Sequence, residues 1–409
     1  MKLITITPDA IVIGQALPYS LRDQSGALLA SKGFVVEKQE DLDLMVAQRG
    51  QLYIDSNEPG STHRSYVGRL HSMLREDRSL GQIAEAQIKS SDAIGRREAD
   101  LTAEPDWLEL QMQTQVMLRD NNPATFMPRL DKLQATLNRH TLNNPDGTLL
   151  ALVYLSSTEL KRYSATHAML VSVMCSVAAR EVLKWRPEPQ ATLSKAALTM
   201  NLGMTELQDQ LALQKSGINP AQRLQVEQHA AHSVQLLTQL GVTDPTWLEA
   251  VGAHHTKTPG ALSSHTEGQR LARLIQRADM FAALLAPRAS RLAESAASAM
   301  KACYFDENSQ IDETGAALIK AMGIYFPGAL VRLATEEVAI VIRRGANTTT
   351  PRVAVLLNRS GMPSVELIVR DTSQREFRIT SGVPHHDIKV KINLDRLLLL
   401  AKLPTGDRY

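Results

Sequence analysis

Apolar residues recur at short helical steps from Trp107 to about Tyr325, as in Leu108-Leu110-Met112, Leu130-Leu133-Leu137 and Leu149-Leu152-Leu155. The whole stretch therefore reads as helices. Asn144-Pro145-Asp146-Gly147 reads as a turn between two of them. The run Thr166-His167-Ala168-Met169-Leu170-Val171-Ser172-Val173-Met174 is apolar on several faces, which predicts a central buried helix. Different patterns flank this body. Residues 1–57 read as a small β-rich module: Met1–Thr7 alternate, Leu21–Ala30 carry turn residues between two extended segments, and Gly33–Val36 and Gln51–Ile54 are short strands around a helix over 38–48. Residues 58–104 are polar and charge-rich, a partly helical linker whose weak apolar content cannot offset ordering entropy. After Pro327 come β-branched runs at Val338–Ile342, Arg352–Leu357 and Ser364–Val369, split by Gly345, Gly361 and Pro363. They predict a C-terminal β unit over 336–409, although the first run could equally end a helix. The fold class is mainly α: a helical body over 105–335, with a β module before it and a β extension after it.

Composition removes several function classes. Lys plus Arg number 45 against 43 Asp plus Glu, so the net charge of +2 gives no support for nucleic-acid binding or a polybasic membrane contact. Two cysteines, Cys175 and Cys303, are too few for a disulfide framework and fit a reducing compartment. The first residues form a strand start and not a signal peptide, and no run of about eighteen apolar residues occurs. The expectation is a cytoplasmic protein without a membrane span.

The chemistry-bearing residues are His167, His229, His254-His255 and Asp279, all in helical sequence. Each also has an ordinary explanation. His167 could be a core histidine with a hydrogen-bonded partner, and His254-His255 a pair at a helix C-terminus favoured by the dipole. Asp279, if buried, would need a salt bridge or a hydrogen bond to an imidazole. His232, His385-His386 and His63 read as surface residues.

The collinear order of these residues and their surroundings resembles the HD-GYP family, bacterial helical metal phosphodiesterases that hydrolyse cyclic di-guanylate. Ala196–Met204 matches the family's helix ending in His-Asp-Ile-Gly-Lys; Leu213–Pro220 looks like the loop before the next histidine helix; Ala278–Leu284 matches its late helix. Arg288-Ala289-Ser290-Arg291 stands where the family has Arg-Pro-Tyr-Arg, and Tyr325–Leu333 resembles the closing segment. The resemblance implies an HD-type helical bundle. In the family, two metals are bridged by the aspartate of the His-Asp pair, and together activate a water and stabilise an in-line displacement.

Here that centre reads Met200-Asn201. Asn201 is neutral, and Met200 offers a soft thioether in place of an imidazole, a poor partner for Fe or Mn. Met204 replaces the lysine near the substrate phosphate, and Tyr163 stands where members with a third metal carry glutamate. After His254-His255 neither the family's glutamate nor its Gly-Tyr-Pro remains in Thr256–His265. The resemblance thus implies no catalytic residues at the His-Asp positions. It leaves His229, His254 and His255 as ligands for one divalent metal (Fe, Mn or Zn), with His167 and Asp279 as remnants of the other position. Lys215, Arg288 and Arg291 are the candidate substrate-binding residues.

The leading expectation is a non-catalytic signalling or scaffold protein in cyclic di-guanylate signalling, taking a cyclic dinucleotide or acting through contacts with signalling proteins, as an oligomer or a monomer. The alternative is a metal-dependent phosphohydrolase using the three histidines. A third reading makes the N-terminal module the working part and the helical body a dimerisation element.

Overall fold

In a computed structural model, residues 105–402 are described except Pro259, Val365, Lys389 and Lys391, together with part of 3–55. The linker expected over 58–104 and His63 lie outside the described residues, as does most of the helix expected over 38–48. The chain divides into two compact units, Met1–Ala103 and Glu104–Tyr409.

The first unit holds an antiparallel sheet of β1 (Leu3–Ile6), β2 (Leu21–Arg22), β3 (Leu28–Ala30) and β4 (Leu52–Asp55), in the order β1-β4-β2-β3. The hairpin expected over 21–30 is present, with Gly26 at φ 87° in its turn. At the expected strand 33–36, the described residues Phe34 and Val36 are not in strand; Phe34 instead accepts a backbone hydrogen bond from Leu17.

The second unit is helical. In order it contains α1 (Trp107–Leu118), α2 (Pro123–Asn143), α3 (Pro145–Thr158), α4 (Tyr163–Glu181), α5 (Pro187–Thr199), α6 (Thr205–Leu213), α7 (Pro220–Gln239), α8 (Pro245–Ala253), α9 (Glu267–Leu285), α10 (Ala296–Tyr304) and α11 (Glu313–Met322). The start signals are local. Asp106, Asn122, Asn144, Asp244 and Asp312 accept hydrogen bonds from the first-turn N–H groups of their helices, and Asn219 and Thr266 form full capping boxes with Gln222 and Gln269. Asn144-Pro145-Asp146-Gly147 is not a free turn: Asn144 ends α2 and caps α3, with Pro145 at the first helical position.

Helix α4 is the central buried helix that its all-round apolar pattern predicts, buried from Tyr163 through Ala179. Each fully buried Leu, Val or Met there contributes roughly 1.5–3 kcal/mol. Its first turn has no cap of its own; Asp209 from α6 accepts the Ser164 N–H at 2.8 Å and also takes Arg119 at 2.9 Å.

An antiparallel sheet closes the unit, in the order β8-β7-β6-β5-β9, with β5 (Leu330–Leu333), β6 (Val338–Arg343), β7 (Arg352–Leu357), β8 (Val369–Asp371) and β9 (Ile379–Val383); α12 (Leu394–Lys402) follows. The run Val338–Ile342 is strand, not helix end. The strand expected over 364–369 begins only at Val369, after Pro363 and Ser364 make short irregular contacts with β7. Sheet and helices share one hydrophobic core. Arg344 fastens them, pairing with Asp146 of α3 at 2.5 Å and Glu181 of α4 at 2.7 Å, and donating to the Ala321 carbonyl. Among the described residues, no helix is long and apolar enough to cross a membrane.

Candidate metal centre

Helices α7 and α8 bring three histidines together. His229 lies mid-way along α7, His254 is the C-cap of α8, and His255 follows it. Their candidate ligand atoms all lie within 4.8 Å of one another. The two buried rings are oriented alike. His229 Nδ1 is 2.5 Å from the Val226 carbonyl and His254 Nδ1 is 2.6 Å from the Val251 carbonyl. A carbonyl only accepts, so each Nδ1 carries the proton and donates it. Each Nε2 is then left with a lone pair, and the two Nε2 atoms are 3.2 Å apart. Two lone pairs facing each other at that distance repel unless a proton or a cation lies between them. A ring fixed by a backbone carbonyl with its other nitrogen turned inward is the usual second-shell arrangement of a metal-ligating histidine. His255 is exposed and packs its ring 4.1 Å from that of His254.

Burial keeps the two buried histidines neutral. Burial pushes His254 down to about 3, and His255 beside it pushes the same way, against the opposite pull of Asp279. Burial also lowers His229, against the hydrogen bond to Val226. Both rings are neutral at neutral pH, the form that binds metal.

The other remnants pair with each other. His167 Nε2, on α4, donates to Asp279 Oδ1, on α9, at 2.7 Å. Burial would raise the Asp279 carboxyl, but the contributions that oppose it, led by the hydrogen bond from His167, hold it at about 2. Tyr163 stacks on His167 with ring centres 5.5 Å apart. Arg288 lies over the Tyr163 ring and donates to its hydroxyl at 3.3 Å. Of the three cations singled out in the sequence, Arg288 alone is brought beside His167. Lys215 is exposed in the loop before α7, and Arg291 is exposed with its guanidinium donating to the Ala283 carbonyl.

The turn after α5 carries the residues at the family's His-Asp positions. Met200 is packed into the hydrophobic core. Asn201 is 8% exposed, and neither its amide oxygen nor its amide nitrogen has a hydrogen-bond partner among the described residues. An orphaned amide of this kind costs roughly 1–3 kcal/mol. The turn is riveted to α7: Ser233 Oγ accepts the Gly203 N–H at 2.9 Å and lies 2.9 Å from the Met200 carbonyl, while His232 Nδ1 donates to the Gly203 carbonyl at 3.0 Å. A Cβ at Gly203 would stand 2.8 Å from the His229 carbonyl oxygen and 2.8 Å from the Ser233 nitrogen. Glycine is required there by backbone approach.

Sequence reasoning missed a buried ionic network that anchors α9. Arg273 meets Asp312 at 2.7 Å and Glu307 at 3.0 Å, and Arg277 meets the same two at 3.2 and 3.3 Å. The signal was present as two arginines four apart on a helix whose neighbours are apolar. Arg277 lies two residues before Asp279, so the network fixes the rotation of the helix that presents the aspartate.

Residues 149–315 match the family described as HD domain. A cyclic di-GMP phosphodiesterase of Pseudomonas aeruginosa, PA4108, is 25% identical over 248 residues, covering 59% of this chain and 58% of that protein, so the chain spans little more than half of its relative's length. The solved structure of Bd1817, an HDG"Y"P protein from Bdellovibrio bacteriovorus, aligns over 78% of this chain and 98% of that one, with 15% identity and a TM-score of 0.42. The helical body therefore contains an HD domain. Domains of this kind are typically dependent on divalent metals, and the three-histidine cluster provides donors of that type.

Proposed function

We propose that the chain is a non-catalytic signalling or scaffold protein, and that its degenerate HD-GYP domain keeps a pocket for one metal and a cyclic dinucleotide. Asn201 carries this reading. A buried neutral amide with both polar atoms orphaned occupies the position where the family's chemistry needs a charged bridge between two cations. Met200 beside it is core, and Asp279 is engaged by His167. The donors fit one divalent ion, Zn, Fe or Mn, on His229, His254 and His255. They do not fit a second ion on His167 and Asp279. A single bound ion would supply Lewis acidity; the chain's own contribution is to hold two imidazoles neutral and aligned through Val226 and Val251.

The dinucleotide part of the proposal rests on the 25% identical phosphodiesterase and on Arg288, which reaches the His167 side by way of Tyr163. Lys215 and Arg291 are offered as further phosphate contacts from the rim. On this reading residues 105–335 form the sensing body, and 1–57 and 336–409 are its attachments.

The histidine cluster also supports the alternative, a one-metal phosphohydrolase, although the sequence supplies no evident general acid for it. Calorimetry with cyclic di-guanylate, alongside turnover assays on phosphodiester and phosphomonoester substrates with Mn, Fe and Zn, separates the two. Heat without turnover is expected. Turnover that disappears in His254→Ala establishes the alternative, and neither heat nor turnover leaves protein contacts as the working mode.

A further inference from the structure

A cavity lies at the far end of the helices that carry His167 and Asp279. Lys184, Trp185 and Arg186 follow the last turn of α4, Glu267 and Arg270 belong to the start of α9, and together they line a cavity of about 250 Å³. At 1.5 Å per residue, Lys184 stands roughly 25 Å along the helix direction from His167. The cavity is therefore distant from His167, and none of the three clustered histidines lines it.

Three cations here face one carboxylate. Arg270 comes only within 3.9 Å of Glu267. Lys184 and Arg186 are exposed, and neither side chain makes an ion pair or hydrogen bond among the described residues. Two guanidiniums and an ammonium around one opening suit a phosphate, whose oxygens match the planar fork of arginine. Trp185 adds an aromatic wall, half-buried with part of its surface packed against the core. An indole face stacks flat rings without regard to their hydrogen-bonding edges.

The backbone supplies a third observation. Lys184 has φ 54°, in the left-handed region where glycine is the ordinary residue at a helix end. The Leu183 N–H reaches back to the Ala178 carbonyl and the Trp185 N–H to that of Ala179, so the turn itself fixes this conformation. A lysine here makes the turn less stable than glycine would. What it adds is a charge at the mouth of the cavity.

We propose that this cavity binds a phosphorylated aromatic ligand of nucleoside monophosphate size, with its phosphate on Lys184, Arg186 and Arg270 and its ring on Trp185. The volume lies below the roughly 300–1,000 Å³ of pockets for larger ligands, so one nucleotide and not two sets the size.

Tryptophan emission tests this on the full chain. Of the three tryptophans in the sequence, Trp107 and Trp247 are 4% and 3% exposed, so quenching by an added ligand reports on Trp185. AMP should quench saturably, less so at high salt; inorganic phosphate should compete, and adenosine should not quench. Lys184→Gly should melt at a higher temperature yet bind AMP about fivefold more weakly, the scale of one exposed charge contact. Arg186→Gln should weaken binding similarly, and His255→Ala should leave it unchanged. The proposal is overturned by absence of saturable quenching, by adenosine quenching as well as AMP, by Lys184→Gly binding as tightly as the parent, or by loss of binding in His255→Ala.

Discussion

Asp279→Asn keeps the shape of the side chain beside His167 and removes its charge. The carboxyl is held at about 2, against an ordinary value of 3.8. Burial opposes this, but the hydrogen bond from His167 leads the contributions that outweigh it. Because the folded value lies below the unfolded one, the stabilisation is fully present above about pH 4 and is lost as pH falls through about 2. The side chain is 15% exposed, so solvent screens it little. A difference of just under two units, at about 1.4 kcal/mol per unit, amounts to roughly 2–3 kcal/mol. Urea denaturation of EDTA-treated parent and variant measures it directly. The variant should be roughly 2–3 kcal/mol less stable at neutral pH, and roughly half of that gap should close by about pH 3. A gap that stays constant with pH would show that shape, not charge, is what the substitution changed. A variant as stable as the parent at neutral pH would refute the pairing argument altogether.

Three further outcomes follow from the same geometry. Gly203→Ala places a Cβ 2.8 Å from the His229 carbonyl oxygen and should cost about 1–3 kcal/mol in denaturant titrations while weakening metal binding by displacing α7. Glu307→Gln leaves Arg273 and Arg277 with Asp312 as their remaining carboxylate; thermal melts should show a clear loss of stability at neutral pH. Because the hydrogen bond from Arg273 leads in holding Glu307 at about 2, the stabilisation lost is present above about pH 4.5 and fades as pH drops through about 2. Asn201→Asp should raise affinity for Zn or Mn at least about tenfold in competition with a fluorescent chelator, and should destabilise the metal-free protein by burying a charge without a partner.

Much of this was legible along the chain because it is local. A helix apolar on every face has to be central, and α4 is. Asx and Thr caps before periodic runs mark helix starts without reference to anything distant. The errors came where one local signal has two uses. Asn-Pro-Asp-Gly suits a turn and equally suits a cap followed by proline at the first helical position, and the apolar run behind it makes it the latter. Ser364–Val369 has strand composition, but Pro363 and the contacts of Ser364 with β7 delay pairing until Val369. At the site, the residues were visible and their partners were not. Asp279 needed an imidazole or an ion, and only folding decides that His167 provides it. Ser233 and the Arg273–Arg277 network join residues distant in sequence, and no periodicity encodes such pairs.

On the proposed reading one metal position persists on His229, His254 and His255 while the other is dismantled. Elemental analysis of tag-free protein, dialysed against Zn or Mn and then freed of excess ion, tests it most directly. One equivalent per chain is expected, lost in His254→Ala and retained in His167→Ala. Two equivalents per chain, or one that survives His254→Ala, would contradict it.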